Sequence, residues 1–186
     1  MSSEHIKKNR IIHDGLIFNK YLNQTEISSR ILKLSKNLNT YYKNKNPLIV
    51  GVLNGCIFFM MDLLKNLNFD YTIDFIRAES YIGKERNKLN LEITNKNFYF
   101  NKNILLIEDI IDSGNTVDNI LKTMASYNPK EVKVITLLNK NKNINSRSFK
   151  IDWHGFNIDQ KYVIGYGMDY NNLFRYLKDI YIENEK

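Results

Sequence analysis

The chain has few of the residues that cross-link or punctuate a fold. One cysteine, Cys56, stands among 186 residues, so an internal disulfide framework is excluded. There are two prolines and eight glycines, and no Pro-rich or Gly/Ser-rich linker divides the chain. One compact unit over residues 1–186 is therefore expected, long enough to bury a core without disulfides or metals. The longest apolar stretches, Leu48–Leu53 and Cys56–Met61, are too short to span a bilayer. Met1–Arg10 is polar, has no apolar core and does not read as a secretory leader. His5, His13 and His154 show no metal-ligand spacing. These absences lead to the expectation of a cytoplasmic protein in a reducing setting, with no membrane partner.

What is present is basic. The net charge is +7, from 27 Lys and Arg against 20 Asp and Glu. Such a balance can be the footprint of nucleic-acid binding. Yet 21 of these cations are Lys and 6 are Arg, beside 27 Asn, 24 Ile and 2 Ala. Asn, Ile and Lys have A/T-rich codons, whereas Gly, Ala, Pro and most Arg codons are G/C-rich. Codon pressure accounts for the excess of Lys, and no nucleic-acid partner is expected. It follows that the few Gly and Arg residues are enriched in ones the structure requires.

Apolar periodicity maps the elements. Ile27, Ile31, Leu34, Leu38 and Tyr41 recur at helical spacing, with Thr25 as the expected N-cap. Pro47 ends that segment, and Leu48–Leu53 reads as a strand buried on both faces. After a tight turn at Asn54-Gly55, a helix is expected over Ile57–Leu67 and a strand over Tyr71–Ile76. Gly83–Asn90 and Asn139–Asn145 read as loops. Ile104–Ile107 is a second buried strand, Val117–Tyr127 a helix ended by Asn128-Pro129, and Val132–Leu138 a third buried strand. This alternation is that of an α/β protein with a parallel sheet covered on both faces. In such sheets ligands bind at the carboxyl ends of the strands.

The segment Ile104–Thr116 carries the chemistry. A buried strand leads into Glu108 and Asp109, Asp112 follows, and Ser113-Gly114-Asn115-Thr116 opens a helix. N–H groups at a helix N-terminus beside Ser and Thr hydroxyls form an anion site. Gly114 lets the backbone approach an anion closely. No Gly-Lys-[Ser/Thr] element is present, so this is not a Walker A loop. Carboxylates beside a phosphate cradle need another partner, and sugar hydroxyls and Mg²⁺ supply one. The ligand implied is a ribose phosphate. A helix cap alone explains Asp112 and Ser113 but leaves Glu108 and Asp109 unexplained.

This segment resembles the phosphoribosyl-pyrophosphate motif of type I phosphoribosyltransferases. Four further segments resemble the hypoxanthine (hypoxanthine-guanine) branch: Gly51–Gly55, Glu79-Ser80-Tyr81, Leu137–Lys140 and Tyr162–Arg175. The resemblance covers roughly Leu16 to Arg175. It implies an α/β fold with a central, mainly parallel sheet flanked by helices. A small hood would come from about residues 1–20 and 150–186. It also implies a purine-salvage enzyme, assembled as a homodimer or homotetramer. With Mg²⁺ as cofactor, a 6-oxopurine base and phosphoribosyl pyrophosphate would give the nucleoside 5′-monophosphate and pyrophosphate.

The implied roles follow residue by residue. Glu108 and Asp109 would hold the ribose hydroxyls, one partly through Mg²⁺, and Asp169 would help place a second Mg²⁺ near pyrophosphate. Asp112 would be the general base at purine N7. Ser113, Gly114, Asn115 and Thr116 would cradle the 5′-phosphate. Lys140 would donate to O6, Tyr162 would stack on the base, and the Val163 backbone would read the ring edge. Leu53, Asn54 and Gly55 would bind pyrophosphate largely through backbone, and Arg175 would bind it by its side chain. A closing loop would bring Ser80 and Tyr81 over the reaction centre. Asn54 stands where many relatives have Lys, which removes one positive charge near pyrophosphate. Asn115 stands where some have Lys, and still offers its backbone N–H. The same resemblance leaves two alternatives, a xanthine- or guanine-preferring relative and a nucleic-acid-binding regulator of this fold. The presence of Asp112, Lys140 and Arg175 argues against the regulator. Cys56 reads as a buried small residue, since no positioned base accompanies it.

Overall fold

A computed structural model describes residues 5–7, 9–80, 89–92, 96–140 and 148–184. In chain order the elements are β1 (His5–Lys7), β2 (Arg10–His13), β3 (Leu16–Leu22), α1 (Gln24–Tyr41), β4 (Leu48–Leu53) and α2 (Ile57–Leu64). They continue with β5 (Thr72–Ser80), β6 (Leu89–Glu92), β7 (Asn103–Ile111), α3 (Asn115–Ala125) and β8 (Glu131–Lys140). β9 (Trp153–Ile158), β10 (Val163–Ile164) and β11 (Ile180–Glu183) complete the series.

The main sheet has the order β6-β5-β4-β7-β8-β9. Its five strands from β5 to β9 are parallel, and β6 pairs antiparallel at one edge. β4 lies between β5 and β7, which pair both its edges, and its apolar residues are buried on both faces by the packed helices. Ile49, Leu105, Ile107 and Ile135 pack against α1 and α2 on one side. Leu48, Val50, Ile104 and Leu106 pack against Val117, Ile120 and Met124 of α3 on the other. A second, antiparallel sheet, β1-β2-β3-β11-β10, forms the hood over its own core of Ile11, Phe18, Ile164 and Phe174. Among the described residues no helix is long and apolar enough to cross a membrane.

Several boundaries differ from the sequence expectation. The C-terminal share of the hood begins after β9, not at residue 150, because Trp153–Ile158 joins the main sheet beside β8. The entry to β9 is fixed by Val134, whose N–H donates to Asp152 Oδ2 at 2.9 Å and whose carbonyl accepts from the Asp152 N–H at 2.9 Å. The N-cap of α1 is Asn23, not Thr25. Asn23 Oδ1 accepts from the Glu26 N–H at 3.0 Å and Glu26 Oε2 accepts from the Asn23 N–H at 2.8 Å, a reciprocal capping box. α2 stops at Leu64 instead of Leu67. Asn39 draws the following chain away from helical geometry, donating to Asn66 O at 3.0 Å and accepting from the Asn68 N–H at 2.9 Å. Leu89 and Asn90 belong to β6 rather than to a loop, while residues 83–88 lie outside the described residues. Asn139 and Lys140 extend β8, where Asn139 Nδ2 donates to Asn157 Oδ1 of β9 at 2.9 Å.

Candidate active site

The site lies where the carboxyl ends of β4, β7 and β8 meet the hood. β7 runs through Glu108 and Asp109 to Ile111, so the paired carboxylates sit within the strand rather than at its end. Asp109 is buried, and its Oδ1 accepts from the Ile110 N–H at 2.9 Å. Burial, then the adjacent Asp109 charge, pushes the Glu108 carboxyl well above its usual range. Burial also raises Asp109, opposed by hydrogen bonds from Glu108 and Ile110 and by the charge of Arg175. Glu108 Oε2 is buried and has no hydrogen-bond partner among the described residues.

Asp112 leaves the strand and is exposed. Its Oδ2 meets Lys140 Nζ, at the last residue of β8, at 2.9 Å. Parallel pairing of β7 with β8 brings Ile111 opposite Asn139, which puts these two charges at neighbouring strand exits. Gly114 caps α3 at φ +86°, a conformation that favours glycine. Ser113 Oγ accepts from the Asn115 N–H at 3.3 Å. First-turn N–H groups have no carbonyl partner within a helix, so this end of α3 can present donors to an anion, the Asn115 N–H by exchanging its bond to Ser113 Oγ.

The turn after β4 contains a cis peptide between Leu53 and Asn54. Gly55 lies directly against Asp109, and a Cβ there would overlap the carboxylate. Gly167, at φ +101°, lies against the Gly55 carbonyl in the same way. Three segments distant in sequence thus converge at one point, the Gly55 backbone between the Asp109 carboxylate and Gly167. Sequence reasoning singled out Gly55 but missed Gly167. The signal for it was glycine itself, rare in this chain.

The loop from Gly165 to Arg175 brings the remaining residues. Arg175 Nη1 donates to Gly167 O at 2.7 Å, and Nη2 pairs with Asp169 Oδ1 at 2.7 Å. Asp169 Oδ2 accepts from the Asn172 N–H at 2.7 Å. Tyr162 is 46% exposed, and its hydroxyl donates to the Asp169 carbonyl at 2.8 Å. Val163 begins β10 beside it. Among the described residues no three His, Cys, Asp or Glu side chains converge to hold a metal ion. Glu108 and Asp109 are neighbours on β7, while Asp169, expected to help place a second Mg²⁺, is engaged by Arg175 and Asn172. Mg²⁺ rarely needs an all-protein cage, since one or two carboxylates plus substrate phosphates suffice. The orphaned Oε2 of Glu108 fits a site of that kind.

Ser80 ends β5, and Tyr81 lies outside the described residues. Cys56 is buried beside the turn, and burial, then the charges of Glu108 and Asp109, push its thiol up. Iodoacetamide at pH 8 should alkylate the native protein at least about a hundredfold more slowly than the urea-unfolded chain. Equal rates would contradict this placement.

A family model described as the phosphoribosyl transferase domain matches residues 19–171. The chain is 37% identical over 164 residues to a hypoxanthine-guanine-xanthine phosphoribosyltransferase of Tritrichomonas foetus, covering 88% of this chain and 90% of that one. It is 34% identical over 162 residues to a hypoxanthine phosphoribosyltransferase of Buchnera aphidicola subsp. Schizaphis graminum, covering 84% and 90%. Among solved structures, a hypoxanthine-guanine-xanthine phosphoribosyltransferase superposes with a TM-score of 0.80 at 34% identity, over 90% of this chain and 97% of the other. A hypoxanthine phosphoribosyltransferase from Staphylococcus aureus gives a TM-score of 0.81 at 29% identity, over 89% and 91%.

Proposed function

Because the chain belongs to the phosphoribosyl transferase family, we propose that it is a purine-salvage enzyme. It transfers the 5-phosphoribosyl group of phosphoribosyl pyrophosphate to N9 of hypoxanthine and guanine, giving IMP or GMP and pyrophosphate. The observation that carries the base assignment is the 2.9 Å approach of Lys140 Nζ to Asp112 Oδ2. A 6-oxopurine presents N7 and O6 side by side on one edge. An acceptor and a cationic donor at adjacent strand exits match that edge. Adenine carries an amino group at position 6, which offers Lys140 no acceptor on the base.

In the reaction the purine N9 attacks C1′ of the ribose. The C1′–oxygen bond breaks, and pyrophosphate leaves with the electron pair. The proton on N7 passes to Asp112. Tyr162 stacks on the ring, and the Val163 backbone holds its edge. Glu108 and Asp109 hold the ribose hydroxyls, and the α3 N-terminus from Ser113 to Thr116 holds the 5′-phosphate. Arg175 and the Leu53–Gly55 turn hold pyrophosphate. Glu108 and Asp109 would hold one Mg²⁺ together with substrate oxygens and Asp169 would help place a second near pyrophosphate, where the metal would supply positive charge against the leaving group.

The specificity claim is tested by supplying phosphoribosyl pyrophosphate, Mg²⁺ and each of hypoxanthine, guanine, xanthine and adenine. Turnover is expected with 6-oxopurines, and turnover with adenine alone would remove Lys140 from its role. Lys140→Met should lower kcat/KM for hypoxanthine about tenfold to a hundredfold, the loss of one charge-assisted hydrogen bond. It should also narrow the preference over adenine. An unchanged ratio would contradict the assignment.

The enzyme works in the cytoplasm as a homodimer or homotetramer. Ile57, Phe58 and Met61 of α2 are exposed apolar side chains that support self-association. Light scattering on the purified protein should give at least twice the chain mass.

A further inference from the structure

The loop that carries Asp169 and Arg175 is held in an unusual backbone path. Gly165, Tyr166, Gly167, Asn171, Asn172 and Phe174 all have positive φ. For a bulky residue such a conformation is disfavoured and persists only where surrounding contacts enforce it. Tyr166, at φ +50°, is such a residue. It is buried, and its N–H donates to Leu177 O at 2.8 Å. Its hydroxyl donates to Asp62 Oδ2 of α2 at 2.7 Å. The other Asp62 oxygen meets Lys65 Nζ at 3.0 Å, a surface pair.

The next residue is Gly167, pressed against the Gly55 carbonyl. Its carbonyl accepts from Arg175 Nη1 at 2.7 Å and its N–H donates to Arg175 O at 2.9 Å. The direction of the Gly167 peptide thus sets where the guanidinium points, and through it the Asp169 carboxylate. A phenylalanine would fill the space of Tyr166 but could not reach out to a carboxylate. A hydroxyl bonded to a charged acceptor contributes enough to offset the cost of the left-handed backbone.

We propose that Tyr166 and Asp62 form a clamp that positions the pyrophosphate-binding loop, tying Gly167 and Arg175 to the helix that follows the Leu53–Gly55 turn. These are positioning residues and need not touch substrate. The clamp fixes the gap between the two halves of the pyrophosphate site. The inference rests on the assignment of pyrophosphate to Arg175 and the turn made above.

The test is calorimetric titration of inorganic pyrophosphate, with Mg²⁺, into the wild type, Tyr166→Phe, Asp62→Ala, Asp62→Asn and the Tyr166→Phe/Asp62→Ala double variant. Tyr166→Phe and Asp62→Ala should each weaken Kd about tenfold, as one charge-assisted bond is lost, and the double variant should be no weaker than either. Asp62→Asn, which keeps an acceptor oxygen, should bind within about threefold of wild type, as a neutral hydrogen bond remains. In turnover, KM for phosphoribosyl pyrophosphate should rise with the same pattern while KM for the base stays within about twofold, since the hydroxyl lies in the pyrophosphate half. An unchanged Kd in Tyr166→Phe, additive losses in the double variant, or an equal rise of both KM values would overturn the clamp. Absence of pyrophosphate binding to the wild type would overturn it as well. Pyrophosphate binding without turnover on any base would count against the proposed reaction and leave the clamp standing on its own titration.

Discussion

Asp112→Asn is expected to lower kcat about a hundredfold to ten-thousandfold, the range that a positioned general base contributes. The amide is isosteric and stays at the exit of β7, opposite Lys140. It can accept a hydrogen bond but cannot take the N7 proton. Both KM values should change by less than about threefold, because ground-state contacts to ribose and pyrophosphate come from other residues. Lys140 Nζ keeps an oxygen acceptor at the same distance, so the pocket is preserved. Steady-state kinetics with hypoxanthine measure both effects. An unchanged kcat would remove Asp112 as the base, and a rise in KM alone would make it a binding residue.

The second large effect is expected from Gly55→Ala. The added Cβ would overlap the Asp109 carboxylate, which is buried and already bonded to the Ile110 N–H. On the other side the Gly55 carbonyl is in close contact with Gly167. At such a separation something must give, so Asp109 or the turn must shift. A displacement of about 1 Å at a reacting centre costs about a hundredfold in rate, and kcat/KM should fall at least that far. Overpacking should also lower stability by about 1–3 kcal/mol, read as a drop in Tm. Gly15→Ala is the contrast. At φ +74° it carries backbone strain, but its Cβ would meet nothing within 4 Å. Its Tm should fall modestly with kcat/KM unchanged. Equal kcat/KM in wild type and Gly55→Ala would contradict the close packing of turn and carboxylate.

Three strands of the main sheet, β4, β7 and β8, were legible because they are built on unbroken apolar runs. Leu48–Leu53 became β4 without change, and the runs at Ile104 and Val132 needed only lengthening at both ends. Their extensions include polar and charged residues, Glu108 and Lys140 among them, and apolar periodicity breaks where a strand carries its own functional groups. The antiparallel β6 was missed because its residues are mixed in character and read as loop. The cap of α1 was misplaced by two residues because Thr25 and Asn23 are both good caps. The choice fell to Asn23 because Glu26 stands three residues later and completes the box.

The site was legible as a set of residues but not as a geometry. The Asp112–Lys140 pair follows from the register of β7 against β8, which sequence does not state. The meeting of Gly55, Asp109 and Gly167 depends on three segments that only the fold brings together. Tyr166 was one of 12 tyrosines, and nothing local marked its hydroxyl as bonded to α2. Composition did point the right way at two places. In a chain with 6 Arg and 8 Gly, Arg175 and Gly167 proved to be bonded to each other.

The central claim is that these residues join a 6-oxopurine to phosphoribosyl pyrophosphate with loss of pyrophosphate. The direct measurement incubates the purified protein with hypoxanthine, phosphoribosyl pyrophosphate and Mg²⁺ and quantifies IMP and pyrophosphate over time. The account predicts IMP and pyrophosphate in equal amounts, increasing linearly with protein concentration. Pyrophosphate without IMP, or neither product with hypoxanthine or guanine, would contradict it.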